Sequence, residues 1–176
     1  MIGKLHLHAP LAALLATLAG CSSSTADLPV VENFDPARYM GKWFEIARLP
    51  NRFERGMEFV RAEYTPSSDG TIRVVNRGVR SDGPSSIVGR ARLKNASERP
   101  LRGELEVSFF WPFHADYRIV ELDSEYRYAV VTGSNRSYLW ILSRTPAMPS
   151  EELAPLLERL ANSGFDIGRL EYPRQL

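Results

Sequence analysis

The sequence predicts an all-β fold: an eight-stranded antiparallel up-and-down β-barrel with one C-terminal α-helix packed outside it. Three observations lead there. From Gly41 onward, short β-rich runs follow one another, separated by turn residues. The connections are short, which makes sequential neighbours antiparallel hairpins. A single amphipathic helix follows the last run. Eight antiparallel strands in sequence leave two exposed edges unless the sheet closes, and an up-and-down barrel removes both. An eight-stranded barrel holds side chains or one small ligand. The competing all-β solution, a sandwich with Greek-key crossings, is disfavoured by the short hairpin links.

The elements follow in chain order. Residues 1–20 read as a targeting segment. Lys4 supplies the positive start, and "APLAALLATLAG" is an apolar run shorter than the ~20 residues that span a bilayer. It ends in Leu18-Ala19-Gly20-Cys21, which resembles the lipobox of bacterial lipoproteins. The alternative is an ordinary secretory peptide cut near Ala19 or Gly20. Cys21 is the only cysteine in the chain, so it has no disulfide partner. Acylation would both consume the thiol and anchor the protein; stable anchoring takes about two acyl chains, and the lipoprotein pattern implies more. Ser22 rather than Asp follows the cysteine, which by resemblance to bacterial sorting patterns favours the outer membrane, with the folded domain facing the periplasm. Residues 21–33, with the run "SSSTADLPVV", read as an acylated N-terminus and flexible tether. Residues 34–176 form the barrel domain.

Strands are expected near Lys42–Leu49, Phe59–Pro66, Thr71–Val79, Ser86–Leu93, Gly103–Phe109, Asp116–Leu122, Arg127–Thr132 and Tyr138–Ser143. "SSDG", "SDGP", "LDSE" and "GSNRS" mark turns between them. The helix is "PSEELAPLLERLANSG", with Ser150 as the expected N-cap, Glu151 and Glu152 in the first turn, and Gly164 as the stop. Leu153, Leu156, Leu157, Leu160 and Ala161 recur at helical spacing, giving one apolar stripe. Pro155 interrupts it and removes one backbone donor. A short final strand is expected around Leu170–Tyr172.

Two stretches carry a family resemblance. "YMGKWFEIARLPNRFERG", Tyr39–Gly56, contains Gly41-Lys42-Trp43 and resembles the Gly-x-Trp signature of the lipocalins. "YRYAVVTGSNRSYLWILSRTP", Tyr126–Pro146, resembles the later signature that ends in an arginine, here Arg144. "VSFFWPF" lies between them in the expected order. The resemblance covers about Phe34 to Tyr172. It implies that Gly41, Trp43 and Arg144 form a plug at the narrow end, with the guanidinium on the indole face, a contact worth ~0.5–2 kcal/mol. The alternative role for Trp43 is direct ligand contact.

Strand alternation extends this. If Trp43 points inward, so do Glu45 and Ala47, while Phe44 and Ile46 face the helix. If Arg144 points inward, so do Leu142, Trp140 and Tyr138. Trp140 is then a cavity wall, the alternative being packing against the helix. Glu45 is either a ligand contact or a buried acid held by a neighbouring Arg or Tyr. The link Asn51–Phe59 carries Arg52, Phe53 and Arg55, and the resemblance places it over the mouth: Phe53 toward a lipid tail, the arginines toward an anionic head or simply solvated. The cluster Phe109–Phe113 is either rim packing or an exposed patch for a partner or membrane.

Other functions find few parts. Removing residues 1–20 leaves 21 basic and 21 acidic residues, which argues against nucleic-acid binding. His114 is the one histidine beyond the leader, and no metal-ligand spacing is present. Ser108 and His114 lie near one another, but no Gly-x-Ser-x-Gly elbow supports an esterase. No cofactor is expected. The resemblance implies a binding protein, not an enzyme, taking a fatty acid or lysophospholipid for lipid storage or transport in envelope maintenance under stress. The alternative is an interaction protein with a filled barrel, acting through its surface or as a homodimer.

Overall fold

The computed structural model describes residues 23–175; Cys21 lies outside them. The strands are β1 (Gly41–Arg48), β2 (Glu58–Pro66), β3 (Ile72–Arg80), β4 (Gly83–Leu93), β5 (Glu104–Phe110), β6 (Phe113–Leu122), β7 (Tyr128–Thr132) and β8 (Leu139–Ser143). They close in sequence order, with β8 antiparallel to β1, so no edge is left open. A short helix α1 (Pro36–Tyr39) precedes β1, and α2 (Ser150–Asn162) follows β8. The α1 turn has a local cause in Asp35, whose carboxylate accepts from the Ala37 N–H, and in Pro36 at the first helical position.

Alternation along the strands makes two apolar clusters. One fills the barrel, with Trp43, Tyr64, Val74, Leu105, Val107, Val131 and Leu142 among its members. The other lies between the barrel and α2, where Ile46, Leu49, Val130, Leu139 and Ile141 meet Leu156 and Leu160. Ala161, expected on the apolar stripe, is exposed. Pro149, not Ser150, occupies the N-cap position of α2, and no side chain caps it. The helix runs on through Pro155. Surface ion pairs from Arg127 to Glu152 and from Arg159 to Glu121 tie α2 to the barrel.

Two further expectations are overturned. The first concerns Ala47, which was expected inside. The β1–β8 register shifts between Glu45 and Ala47, a bulge. The extra residue flips the alternation, and Ala47 packs with Ile46 in the helix-facing cluster. The second concerns the flexible tether. Residues 23–31 are packed along the barrel instead. Thr25 is fully buried and its hydroxyl donates to Gly133 O at 2.6 Å. Asp27 pairs with Arg136 at 2.6 Å, Leu28 O accepts from Arg118, and Val31 bridges Gly103 and Ile119.

The C-terminal segment has a structural task of its own. β1 pairs with β2 only over Gly41–Phe44. Beyond that the two strands separate, and the chain end fills the gap: Glu171 bridges Arg48, Arg174 O accepts from the Phe59 N–H, and the Gln175 amide donates to Glu45 O and Val60 O. The strand expected around Leu170–Tyr172 is reduced to the single bridge at Glu171.

Candidate functional site

In an up-and-down barrel the odd-to-even connections share one end. Here these are β1–β2, β3–β4, β5–β6 and β7–β8. The opposite end is closed by α1 and Trp43. The indole is fully buried and donates to Tyr39 O at 2.9 Å. The Arg144 guanidinium carbon lies 3.8 Å from the Trp43 ring centroid. Its nitrogens donate to Arg38 O at 2.7 Å, Lys42 O at 2.9 Å and Tyr126 O at 3.3 Å. One cation therefore spans α1, the start of β1 and the β6–β7 turn. Gly41 permits the approach: its φ is +95°, and a Cβ there would stand 3.4 Å from Arg144 Nη1.

Above the plug lies a tyrosine cluster that sequence reasoning missed. The Tyr117 hydroxyl meets those of Tyr39 and Tyr64 at 2.6 and 2.9 Å. Burial raises all three; Tyr64 is pushed up to about 12, and Tyr39 and Tyr117 are also raised. They remain neutral donors and acceptors at any physiological pH. Tyr64 and Tyr117 face the cavity above them.

That cavity measures about 140 Å³. Val60, Ala62, Val74, Val107, Phe109, Val131, Trp140 and Leu142 supply its apolar wall. A comparable space of ~150 Å³ in another protein takes up a benzene, so the volume suits a stretch of one hydrocarbon chain and not two side by side. The Phe109 ring occupies the space left by Gly89, where a Cβ would come within 2.6 Å of it. Thus Phe109 faces inward, while Phe110, Trp111 and Phe113 stand in solvent.

The polar part of the wall lies toward the mouth. Glu45 is 3% exposed and its carboxylate accepts from Arg48 at 2.7 Å. Arg48 also reaches Glu171 and Met57 O. Burial, reinforced by the neighbouring Glu54 charge, raises the Glu45 carboxyl well above its ordinary range, against the pull of Arg48. Glu54 accepts from the Trp140 indole at 2.8 Å and from the Asn51 amide at 2.7 Å, which folds the β1–β2 loop over the opening. Asn76 Oδ1 is buried without a hydrogen-bond partner among the described residues, and Arg61 also lines the cavity.

Of the residues singled out from sequence, Glu45, Trp140 and Leu142 line the cavity. Tyr138 stacks on Trp140 at 5.9 Å but is not on the wall. Ala47 faces α2. Arg52, Phe53 and Arg55 are exposed on the mouth loop, outside the cavity lining. Ser108 donates to Phe113 O at 2.7 Å, not to His114. Nothing local in the sequence signalled the tyrosine cluster or Asn76, because their partners lie on different strands.

Comparison with known proteins agrees with this geometry. The family model for a lipocalin-like domain matches residues 34–175. The chain is 43% identical over 162 residues to the outer membrane lipoprotein Blc of Escherichia coli strain K12, covering 90% of each chain. It is 35% identical over 176 residues to apolipoprotein D of Rattus norvegicus, covering 89% of this chain and 90% of the relative. Insecticyanin of Manduca sexta shares the fold, with a TM-score of 0.70 over 85% of each chain at 19% identity. A closed eight-stranded barrel, a Trp–Arg plug and these matches make the chain a member of the lipocalin family.

Proposed function

We propose that the protein binds one single-chain lipid, a fatty acid or lysophospholipid, and serves lipid storage or transport at the cell envelope while anchored in the outer membrane through acylated Cys21. The observation that carries this is the cavity: largely apolar, walled by Trp140 and Phe109, plugged at one end and of a volume, about 140 Å³, that holds a stretch of one chain. Burying methylenes there gains ~0.8 kcal/mol each. The head group stays at the mouth, where Arg52 and Arg55 stand exposed and Arg61 lines the wall. The unpartnered Asn76 Oδ1 suits a hydroxyl donor such as a glycerol oxygen. The outer-membrane placement is supported by relatives described as outer membrane lipoproteins and by the lipobox-like run ending in Cys21.

A tryptophan-quenching titration with single-chain and two-chain lipids of matched head group tests the reading. Affinity is expected to rise with chain length until the cavity is full, and a second chain is expected to be penalised. Trp140→Ala should weaken every chain length, and Arg52→Ala with Arg55→Ala should weaken anionic heads more than neutral ones. Equal affinity for one and two chains would remove the cavity as the binding site.

A further inference from the structure

We infer that the barrel sits mouth-down on the lipid surface that anchors it, its open rim against the head groups and the β5–β6 tip inserted among them. This goes beyond the proposed function and rests on its reading of Cys21 as the anchor.

The first observation is how the segment after Cys21 is held. Ser23 and Ser24 are pinned to the β7–β8 turn at the mouth. The Arg136 N–H donates to Ser23 O, Ser24 bridges Asn135, and the Arg136 guanidinium reaches Ser24 O and Asp27. Only Ser22 separates Cys21 from Ser23, a reach of at most ~7 Å. An acyl anchor at Cys21 therefore enters the bilayer beside the mouth, not at the end of a long free leash.

The second observation is the rim itself. Phe110 is 65% exposed, Trp111 86% and Phe113 76%, all on one hairpin tip, with Phe53, 53% exposed, on the β1–β2 loop across the rim. Exposed aromatics clustered this way have no apolar partner in the fold. Rings with an apolar body and, for Trp, a polar edge favour the boundary between hydrocarbon and water. The closed-end turns carry none: Ser67–Gly70 and Asp123–Glu125 are polar, and no exposed large hydrophobic falls there among the described residues.

Charge provides the third. Arg52, Arg55 and Arg80 share the rim with Glu54, Glu58 and Asp82, and Arg52 and Arg55 are the exposed cations among them. Arg80 donates to Phe53 O and Arg55 O, which fixes the β1–β2 loop against the β3–β4 hairpin. Exposed arginines and aromatic tips on one rim suit the phosphates and the interfacial zone of a lipid surface. In this pose the cavity opens onto the leaflet, and a single-chain lipid passes between them without crossing bulk water.

The test uses the full acylated protein in vesicles of phosphatidylethanolamine and phosphatidylglycerol. Because Cys21 is acylated and no other cysteine exists, Asp82→Cys at the rim and Ser68→Cys at the closed end each accept one fluorescent label. A neutral water-soluble quencher should act several-fold less on the rim label than on the closed-end label. Replacing Phe110, Trp111 and Phe113 by Ser should return the rim label to full access. Equal access at both positions overturns the orientation, and undiminished protection in the triple variant overturns the inserted tip. Self-quenching between rim labels that vanishes on dilution with unlabelled protein would assign the face to a second copy and overturn the proposal. Palmitate labelling of Cys21 and lipid titration are read separately, so a failed orientation is distinguishable from a failed anchor or an empty cavity.

Discussion

Replacing Arg144 by Ala tests the plug most directly. The guanidinium makes one indole contact at 3.8 Å and three carbonyl hydrogen bonds. The cation–π contact is worth ~0.5–2 kcal/mol. A fully buried hydrogen bond to a charged group contributes ~1.5–3 kcal/mol, but two of these three lie where water can replace the donor, so their sum must be discounted. Burial also lowers the Arg144 pKa, without removing its charge at neutral pH. The net expectation is a loss of ~2–4 kcal/mol, and at ~2–4 °C per kcal/mol the melting temperature should fall by ~5–15 °C. Arg144→Lys should recover part of this, because it keeps a charge but loses the planar fork that reaches several carbonyls. Denaturant melts of Arg144→Ala, Trp43→Ala and the double variant measure the coupling between the two side chains. A double variant whose loss equals the sum of the single losses would mean that the stacking contributes nothing. Lipid affinity should fall less than stability, because the plug lies below the cavity.

Three further outcomes are expected. Glu45 has a folded pKa raised above the ordinary 4.5, so the folded state holds this proton more tightly than the unfolded chain; that stability is complete below 4.5 and is lost as pH rises toward the folded value. The difference in stability between wild type and Glu45→Gln should therefore move against wild type with rising pH, by at most ~1.4 kcal/mol per pH unit, and melts showing no pH trend would refute it. Asn76→Val removes an unpartnered buried acceptor and should leave the free protein as stable or up to ~1–3 kcal/mol more stable, while weakening lysophospholipid relative to fatty acid in calorimetric titration; equal effects on both ligands would rule out a hydroxyl contact. Cys21→Ser should block acylation and leave an unprocessed or mislocalised precursor, and radiolabelled palmitate entering that variant would exclude Cys21 as the anchor.

The strand count, their order and the C-terminal helix were determined by the sequence alone, because alternation, turn chemistry and helical spacing are local signals. The plug pair was legible for a different reason: Trp43 and Arg144 sit inside two recognisable motifs. The α1 turn left a readable mark in Asp35-Pro36 that passed unused. What escaped was non-local. The bulge that turns Ala47 outward arises from the pairing of β1 with β8, and nothing in "WFEIAR" announces it. The run "SSTAD", residues 23–27, has the composition of a linker, yet it is ordered by Arg136, which meets Asp27 across 109 residues of sequence. Tyr39, Tyr64 and Tyr117 lie on α1, β2 and β6, and only barrel closure brings their hydroxyls within hydrogen-bond distance. The same closure separates Phe109 from Phe110, one ring into the cavity and the next into solvent, because adjacent strand residues face opposite sides. Which side is inside, where the chain start is pinned and which end stays open depend on how the whole sheet closes.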